Sequence, residues 1–398
     1  MNETELKAYF SRGLLEWYRS QKRDLPWRRS RDPYRIWISE IMLQQTRVDT
    51  VIPYYNRFVE RFPTVRELAE APEEDVLKLW EGLGYYSRAR NLQAAAKQVT
   101  ELYGGSIPDD KEAVSGLKGV GPYTLGAIMS IAFNRPVPAV DGNVMRVLSR
   151  FFCIDDDIAR PATRGKMEVL AEELIPEGEA GEFNQALMEL GALVCTPRSP
   201  HCLTCPVMEC CAGRLAGRET ELPVKSKAKP PKPQHRLAVL AVRPDDGRVL
   251  VRQRPEQGLL AKLWELPHVE AADVESWRSD EAGPDWLAGA LAAEGLRVLP
   301  RRYAGEAEHV FSHLHWYLRV WEADGAGFAE AAEGAKPASA ARETLSPYEV
   351  GDAAKTEGRE ALPDSYRWID REQFEALAWP NVFRKILDDH FARAAGER

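Results

Sequence analysis

Two carboxylic acids stand in different company. Glu40 lies in Ile36-Trp37-Ile38-Ser39-Glu40-Ile41-Met42-Leu43, so on a helix its neighbours are Ile36, Trp37, Leu43 and Gln44. A carboxyl among apolar groups keeps its proton to higher pH, which suits a general acid. Asp141 comes just after Pro136-Val137-Pro138, which stops one helix, and opens the next as Asp141-Gly142-Asn143. At a helix N-terminus a carboxylate is stabilised as the anion. Two carboxyls with separated pKa values are the pattern expected for cleaving a glycosidic bond. Taken singly, a surface glutamate and a plain helix cap describe these residues better.

The cysteines form a second set. Cys195, Cys202, Cys205 and Cys211 give the spacing C-x6-C-x2-C-x5-C. Four thiolates in one short loop suit a metal centre. A zinc ribbon has two C-x2-C knuckles, and only one is present. Cys210 competes with Cys211 for the fourth place. Cys153, beside Phe151 and Phe152, reads as a buried small hydrophobe. His309, His313 and His315 read as solvated strand residues rather than ligands.

The elements that must position these groups change character along the chain. Residues 1 to about 215 read as almost all helix. Leu6, Phe10, Gly13, Leu14 and Trp17 make an apolar stripe at helical spacing. Pro26, Pro33, Pro53, Pro63, Pro72, Pro108, Pro136 and Pro176 mark helix boundaries. Within Leu117–Val144, Gly119 and Gly121 allow a tight turn, and Pro122 is pre-organised to start a helix. Such a helix start, with its free N–H groups, binds phosphate. The stretch 222–236 carries four prolines and five cations with no acid, and reads as a semi-rigid linker able to follow a phosphate backbone.

From Leu237 the period becomes two. Leu237–Arg243, a turn at Asp245-Asp246-Gly247 and Val249–Arg254 read as a hairpin. Leu314, Trp316, Leu318 and Val320 alternate with His315, Tyr317, Arg319 and Trp321 as a strand with two faces. Residues 323–364, rich in Ala, Gly and Glu, read as a flexible insertion.

With 398 residues and 44% hydrophobic content, two or three domains with real cores are expected. The formal net charge of −8 does not advertise a nucleic-acid binder, yet a basic face can coexist with acidic surface. Glu3, Glu5 and Lys7 give no sign of a secretory leader, and no apolar run is long enough to span a membrane. A cytoplasmic location is expected, nucleoid-associated if the source is bacterial. The cysteines then stay reduced, as metal ligands or free thiols.

Leu117-Lys118-Gly119-Val120-Gly121 resembles the helix-hairpin-helix motif of base-excision DNA glycosylases, placed at about 113–130. WISEIMLQQTRV, WEGLGYYSRARNL, LKGVGPYT, AVDGNVMRV, the cysteine loop and Phe311-Ser312-His313 together resemble the MutY-type adenine DNA glycosylase family over nearly the whole chain. That family removes adenine mispaired with 8-oxoguanine. The resemblance implies a mostly α catalytic region over 1–221, a six-helix barrel plus an iron–sulfur domain, with a 4Fe–4S cluster on the loop 195–211. Its family spacing favours Cys211 over Cys210. An α+β Nudix-like domain over 237–398 follows.

The resemblance makes Glu40 the acid that protonates adenine N7, since adenine leaves poorly until then. Asp141 faces the oxocarbenium-like sugar, and Asn143 orients Asp141 or the water. Tyr123 stands where the related endonuclease III has a lysine nucleophile. Tyrosine cannot form a Schiff base, so a monofunctional glycosylase is expected. Arg23, Trp27, Arg28, Leu43, Thr46, Val48 and Gln185 match the adenine pocket that base flipping requires. Gln45 and Tyr85 match residues that wedge into the duplex. Lys118, Gly119, Val120 and Gly121 match the DNA-backbone contact. Phe311, Ser312 and His313 match the loop that reads 8-oxoguanine, whose N7–H and O8 guanine lacks. The expected partner is duplex DNA with an A:8-oxoguanine mispair, and the expected state a monomer.

The C-terminal half lacks the magnesium helix G-x5-E-x7-R-E-x-x-E-E of Nudix hydrolases. Arg371-Glu372-Gln373-Phe374-Glu375-Ala376 is a partial echo. This opposes a nucleotide pyrophosphatase. Tyr123 and the second domain oppose a pyrimidine-specific glycosylase/lyase, and the two carboxyls oppose a lesion-binding protein without catalysis.

Overall fold

Several helices of the first half start where a polar side chain holds free N–H groups. Asn2 caps α1 (Glu3–Gln21) in a reciprocal box with Glu5. Asp32 caps α2 (Pro33–Leu43), which has proline at its first position. Then come α3 (Val48–Arg61), α4 (Val65–Glu70), α5 (Glu73–Leu79), α6 (Ser87–Tyr103) and α7 (Lys111–Ser115). Next, α8 (Pro122–Ala127) passes into a π-helical turn at Ile128–Ala132. The unit closes with α9 (Gly142–Phe151), α10 (Pro161–Leu174), α11 (Ala180–Leu193) and α12 (Ala212–Leu215). Pro53 does not bound a helix; it lies inside α3. It lies past the first turn, so it forfeits its N–H bond to the Asp49 carbonyl and crowds that oxygen.

This computed structural model describes residues 1–227, 229–328 and 362–396. The chain divides into two units, Met1–Ala228 and Lys229–Arg398. In the first, Phe10 and Leu14 of α1 pack with Val147 and Phe151 of α9 and Phe183, Leu187 and Leu190 of α11. Each such side chain contributes roughly 1.5–3 kcal/mol on burial. Cys195, Cys205, Cys210 and Cys211 pack against the rim of the same cluster, so the core that joins the three helices also seats the cysteine loop.

The second unit is built on a sheet. Its strands are β1 (Lys232–Val242), β2 (Val249–Gln253), β3 (Trp264–Glu265), β4 (His268–Glu270), β5 (Leu296–Arg297), β6 (Pro300–Val310), β7 (Leu314–Asp324), β8 (Gly327–Phe328) and β9 (Tyr366–Ile369). The order is β3-β2-β1-β7-β6, with β4 on β1 and β9 on β2; β5 pairs with β8. β1 runs parallel to β7 and antiparallel to β2. Among the described residues its helices are α13 (Val274–Arg278), α14 (Ala282–Ala293), α15 (Arg371–Ala376) and α16 (Asn381–Ala394). Trp316, Leu318 and Val320 face Phe374, Trp379, Phe383 and Leu387. On the other face Trp321 packs with Leu287 and Leu291 of α14. The alternation along β7 thus serves two buried faces.

Two boundaries differ from the sequence reading. β1 begins at Lys232, inside the expected linker, because the Lys232 N–H bonds to the His313 carbonyl at 2.9 Å and starts the pairing with β7. Residues 323, 324, 327 and 328 belong to strands rather than to an insertion; positions 329–361 lie outside the described residues. The residues 371–376 form a short helix capped by Asp370.

Candidate active site

Glu40, on the buried face of α2, is 5% exposed. It opens onto a cavity of about 160 Å³ whose lining also includes Arg23, Trp27, Arg28, Leu43, Thr46, Val48, Tyr123, Asp141, Asn143 and Gln185. These residues come from five separate stretches of chain. The volume is below the roughly 300–1,000 Å³ of a drug-sized pocket and leaves room for one small planar ring system. The Tyr123 hydroxyl, one residue past Pro122, donates to Glu40 Oε2 at 2.5 Å, with Met188 Sδ at 3.3 Å.

Burial pushes the Glu40 carboxyl up to about 7. The Tyr123 hydrogen bond and the Arg28 charge oppose that rise, and the nearby Asp141 charge adds to it. Asp141 caps α9, accepting from the Val144 N–H at 2.8 Å and from Asn143 Nδ2 at 2.8 Å. The sequence reading expected the helix start to favour its anion. Its hydrogen bonds do so, but burial outweighs them and the net direction is upward. Both acids therefore hold their protons more tightly than free carboxyls do.

Sequence reasoning missed another carboxyl of the same cavity. Glu189 of α11 is 1% exposed and is clamped by two arginines. Arg23 gives Nε–Oε1 at 2.9 Å and Nη2–Oε2 at 2.7 Å; Arg28 gives Nη1–Oε1 at 2.9 Å and Nη2–Oε2 at 2.8 Å. Burial alone would raise this carboxyl, yet the paired guanidiniums bring it down to about 2. Gln185 and Glu189 are four apart on one helix, so a pocket role for one placed the other beside it.

Gln45 and Tyr85 do not line the cavity. They sit on loops beside it, exposed, with left-handed backbone (φ 59° and 46°). Strained positions of this kind cost of order 1–3 kcal/mol each and persist only where the surroundings enforce them. Arg88 supplies the enforcement, and sequence reasoning missed it too. Its guanidinium donates to the Ile41, Met42 and Gln44 carbonyls before Gln45 and to the Leu83 and Gly84 carbonyls before Tyr85. One side chain ties the two loops together.

Lys118, Gly119 and Gly121 are exposed and Val120 half-buried, on the turn joining α7 to α8. Gly119 has φ 78°, and a Cβ there would sit 2.7 Å from Asn91 Cβ, so only glycine fits this turn.

Cys195, at the end of α11, accepts from Arg150 Nη1 at 3.3 Å through its sulfur. Burial first, and then the charges of Cys195, Cys211 and Cys202, push the Cys205 thiol up to about 12. Those four thiols thus lie within one another's field. Cys210 and Cys205 both act on Tyr9 of α1. Among the described residues no three Cys, His, Asp or Glu groups converge on a single-ion site. Arg146 links this loop to the cavity: Nε donates to the Cys195 carbonyl at 2.7 Å and Nη2 to Asn143 Oδ1 at 2.8 Å. Close approach of α9 and α11 is needed for that, and a Cβ on Gly191 would meet Asn143 Cβ at 2.6 Å.

In the second unit, Phe311, Ser312 and His313 form the turn between β6 and β7. Phe311 packs on Trp316 at 4.9 Å, while Ser312 and His313 are exposed. His315 bonds Glu308 at 3.2 Å and stacks on Tyr317. Among the described residues no helix is long and apolar enough to cross a membrane.

Residues 38–177 match the model of the HhH-GPD superfamily of base excision DNA repair proteins, and 238–389 match the NUDIX domain. The adenine DNA glycosylase of Rattus norvegicus is 36% identical, the match covering 95% of this chain and 77% of that protein. The human adenine DNA glycosylase is 35% identical, covering 95% and 73%. A solved thermostable thymine-DNA glycosylase is 31% identical, covering 54% of this chain and 98% of that one, with a TM-score of 0.49. On the identity and coverage of these relatives, the chain is a DNA glycosylase, a hydrolase, and belongs to the adenine DNA glycosylase family.

Proposed function

We propose that the protein excises adenine mispaired with 8-oxoguanine or guanine from duplex DNA and leaves an abasic site without cutting the strand. The observation that carries this reading is a buried Glu40, pushed up to about 7, lining one small cavity together with Asp141. A flipped adenine accepts the Glu40 proton at N7. The C1′–N9 bond then breaks, its electron pair leaving with the base. Asp141, held by the Val144 N–H and Asn143, faces the positive sugar. Water adds at C1′ and gives its proton to the Glu40 carboxylate, which restores the acid.

No lysine is among the cavity-lining residues, and the Tyr123 hydroxyl is committed to Glu40. Both support hydrolysis over an amine-nucleophile lyase. Arg23, Trp27, Arg28, Leu43, Thr46, Val48 and Gln185 would hold the base. Gln45 and Tyr85, set by Arg88, would fill the gap it leaves. Lys118 through Gly121 would meet the phosphate backbone. The exposed Ser312 and His313 would read 8-oxoguanine, with Phe311 as their anchor. The second unit acts as a reader without hydrolase activity: α14 on its sheet carries Ala, Gly and Leu and a single acid, Asp285.

The donor set fits a 4Fe–4S cluster: four half-buried thiols on one loop, with Arg150 donating to Cys195 sulfur. Cys195, Cys202, Cys205 and Cys211 would hold it, with Cys211 preferred to Cys210 on the spacing of the family's cysteine loop. When bound, such a cluster cross-links the loop and couples its folding to metal content. Metal analysis should find about four irons per chain; zinc without iron would overturn this assignment. The function itself is tested by single-turnover assays on duplexes with adenine opposite 8-oxoguanine, guanine or thymine. Excision should be fastest opposite 8-oxoguanine, with strand breaks only after alkali. Strand breaks without alkali, or a strong borohydride-trapped adduct, would overturn it.

A further inference from the structure

A second cavity, of about 410 Å³, adjoins the first and shares Arg23, Arg28, Ile131 and Gln185 with it. One layer of side chains therefore separates the two. The outer rim of the second cavity includes the exposed Lys22, Arg31 and Gly178, so it opens to solvent. We propose that this cavity is the exit for the excised purine base, and that Arg23 is the gate between it and the catalytic cavity. The proposal rests on the reading of the protein as an adenine-excising enzyme.

Glycosidic cleavage gives two products that differ in size. The abasic duplex stays over the face bearing Gln45 and the turn Lys118–Gly121, next to Thr46 and Tyr123 of the cavity wall. A neutral base released behind it needs another opening or must wait for the DNA to leave. The second cavity takes none of its lining from those DNA-side loops.

The partition is built to open at Arg23. Its side chain is 32% exposed, against 13% for Arg28 and 1% for Glu189. If the Arg23 guanidinium swings outward, Glu189 keeps both bonds from Arg28 and the Arg23 backbone N–H at 3.0 Å. No buried carboxylate is stranded, which is the step that would otherwise be costly. Gln185 donates to Gly181 of its own helix at 3.0 Å, so that bond does not cross the wall. Ile131 lies in the π-helical turn, a local irregularity often found at working sites. Beyond the gate, Lys22, Asp24 and Glu182 offer both donors and acceptors to the edges of a free purine.

The test plugs the second cavity from its rim with Ser30→Trp and, independently, Lys22→Trp. Full-length enzyme in excess is mixed with a duplex labelled in the target adenine. Rapid gel filtration then separates free base from the enzyme–DNA complex. Wild type should release free adenine while the abasic duplex remains bound. At least one plug variant should excise at the wild-type rate yet retain the base about tenfold longer. The exit proposal is overturned if wild-type base and DNA leave together, or if both folded variants release base at the wild-type rate. Absence of any cleaved adenine, free or bound, in wild type would instead overturn the excision reading, and the two failures are read separately in one assay.

Discussion

Glu40 and Glu189 line one cavity, each at most 5% exposed, yet they are tuned in opposite directions. Glu40 is pushed up to about 7 and Glu189 brought down to about 2. Burial raises both. What differs is the company: Glu40 has one tyrosine hydroxyl, a neighbouring acid and the charge of Arg28 without a bond to it, whereas Glu189 has two bidentate guanidiniums. Burial makes a carboxyl adjustable and its partners choose the direction. One carboxyl can hold a proton ready while the other holds a permanent charge.

Replacing each acid by its amide is one chemical change and should give unlike results. Glu40→Gln should reduce single-turnover adenine excision by about 100- to 10,000-fold, the usual worth of a positioned acid, with duplex binding largely kept. Excision within about tenfold of wild type would remove Glu40 from that role. Its folding stability should hold or improve at pH 8, because wild type loses stability as pH rises from 4.5 through about 7, when the buried carboxyl must charge.

Glu189→Gln should instead destabilise by about 3 kcal/mol in denaturant titration at neutral pH, since Arg28 is left buried without its counter-charge. Glu189 stabilises the fold above its unfolded pKa, and that stability is lost as pH falls toward 2. A variant as stable as wild type would break the contrast between the two carboxyls.

The proposed reading of 8-oxoguanine by the turn between β6 and β7 can be broken in the same way. Ser312→Ala with His313→Ala should cost about 10- to 100-fold on the 8-oxoguanine duplex and much less on the guanine duplex, at fixed salt. Equal losses on both would make the turn a general DNA contact. The smallest expected effect is that of Tyr123→Phe. Its hydroxyl lowers the Glu40 pKa, so its loss should move the alkaline fall in excision to higher pH; a downward move would contradict the bond's assigned direction.

Much of this was legible in the chain. The helical first unit and stranded second unit follow from hydrophobic period, and Glu40's apolar neighbours announced its raised pKa. Asp141 was legible as a cap but not in net charge preference, because burial cannot be read from a turn. Glu189, Arg88 and Arg146 were missed for one reason. Their roles depend on partners far away in sequence, such as Arg23 with Glu189 or Arg88 with the Ile41 carbonyl. Pro53 shows the same limit locally, since a proline early in a helix reads as its boundary.

The most direct test of the central claim is the pH dependence of single-turnover adenine excision on the 8-oxoguanine duplex, for wild type and Glu40→Gln together. The wild-type rate should fall as pH rises through about 7, following deprotonation of Glu40, and the variant's residual rate should lack that fall. A wild-type rate that stays flat across that range, or the same fall in Glu40→Gln, would contradict the account.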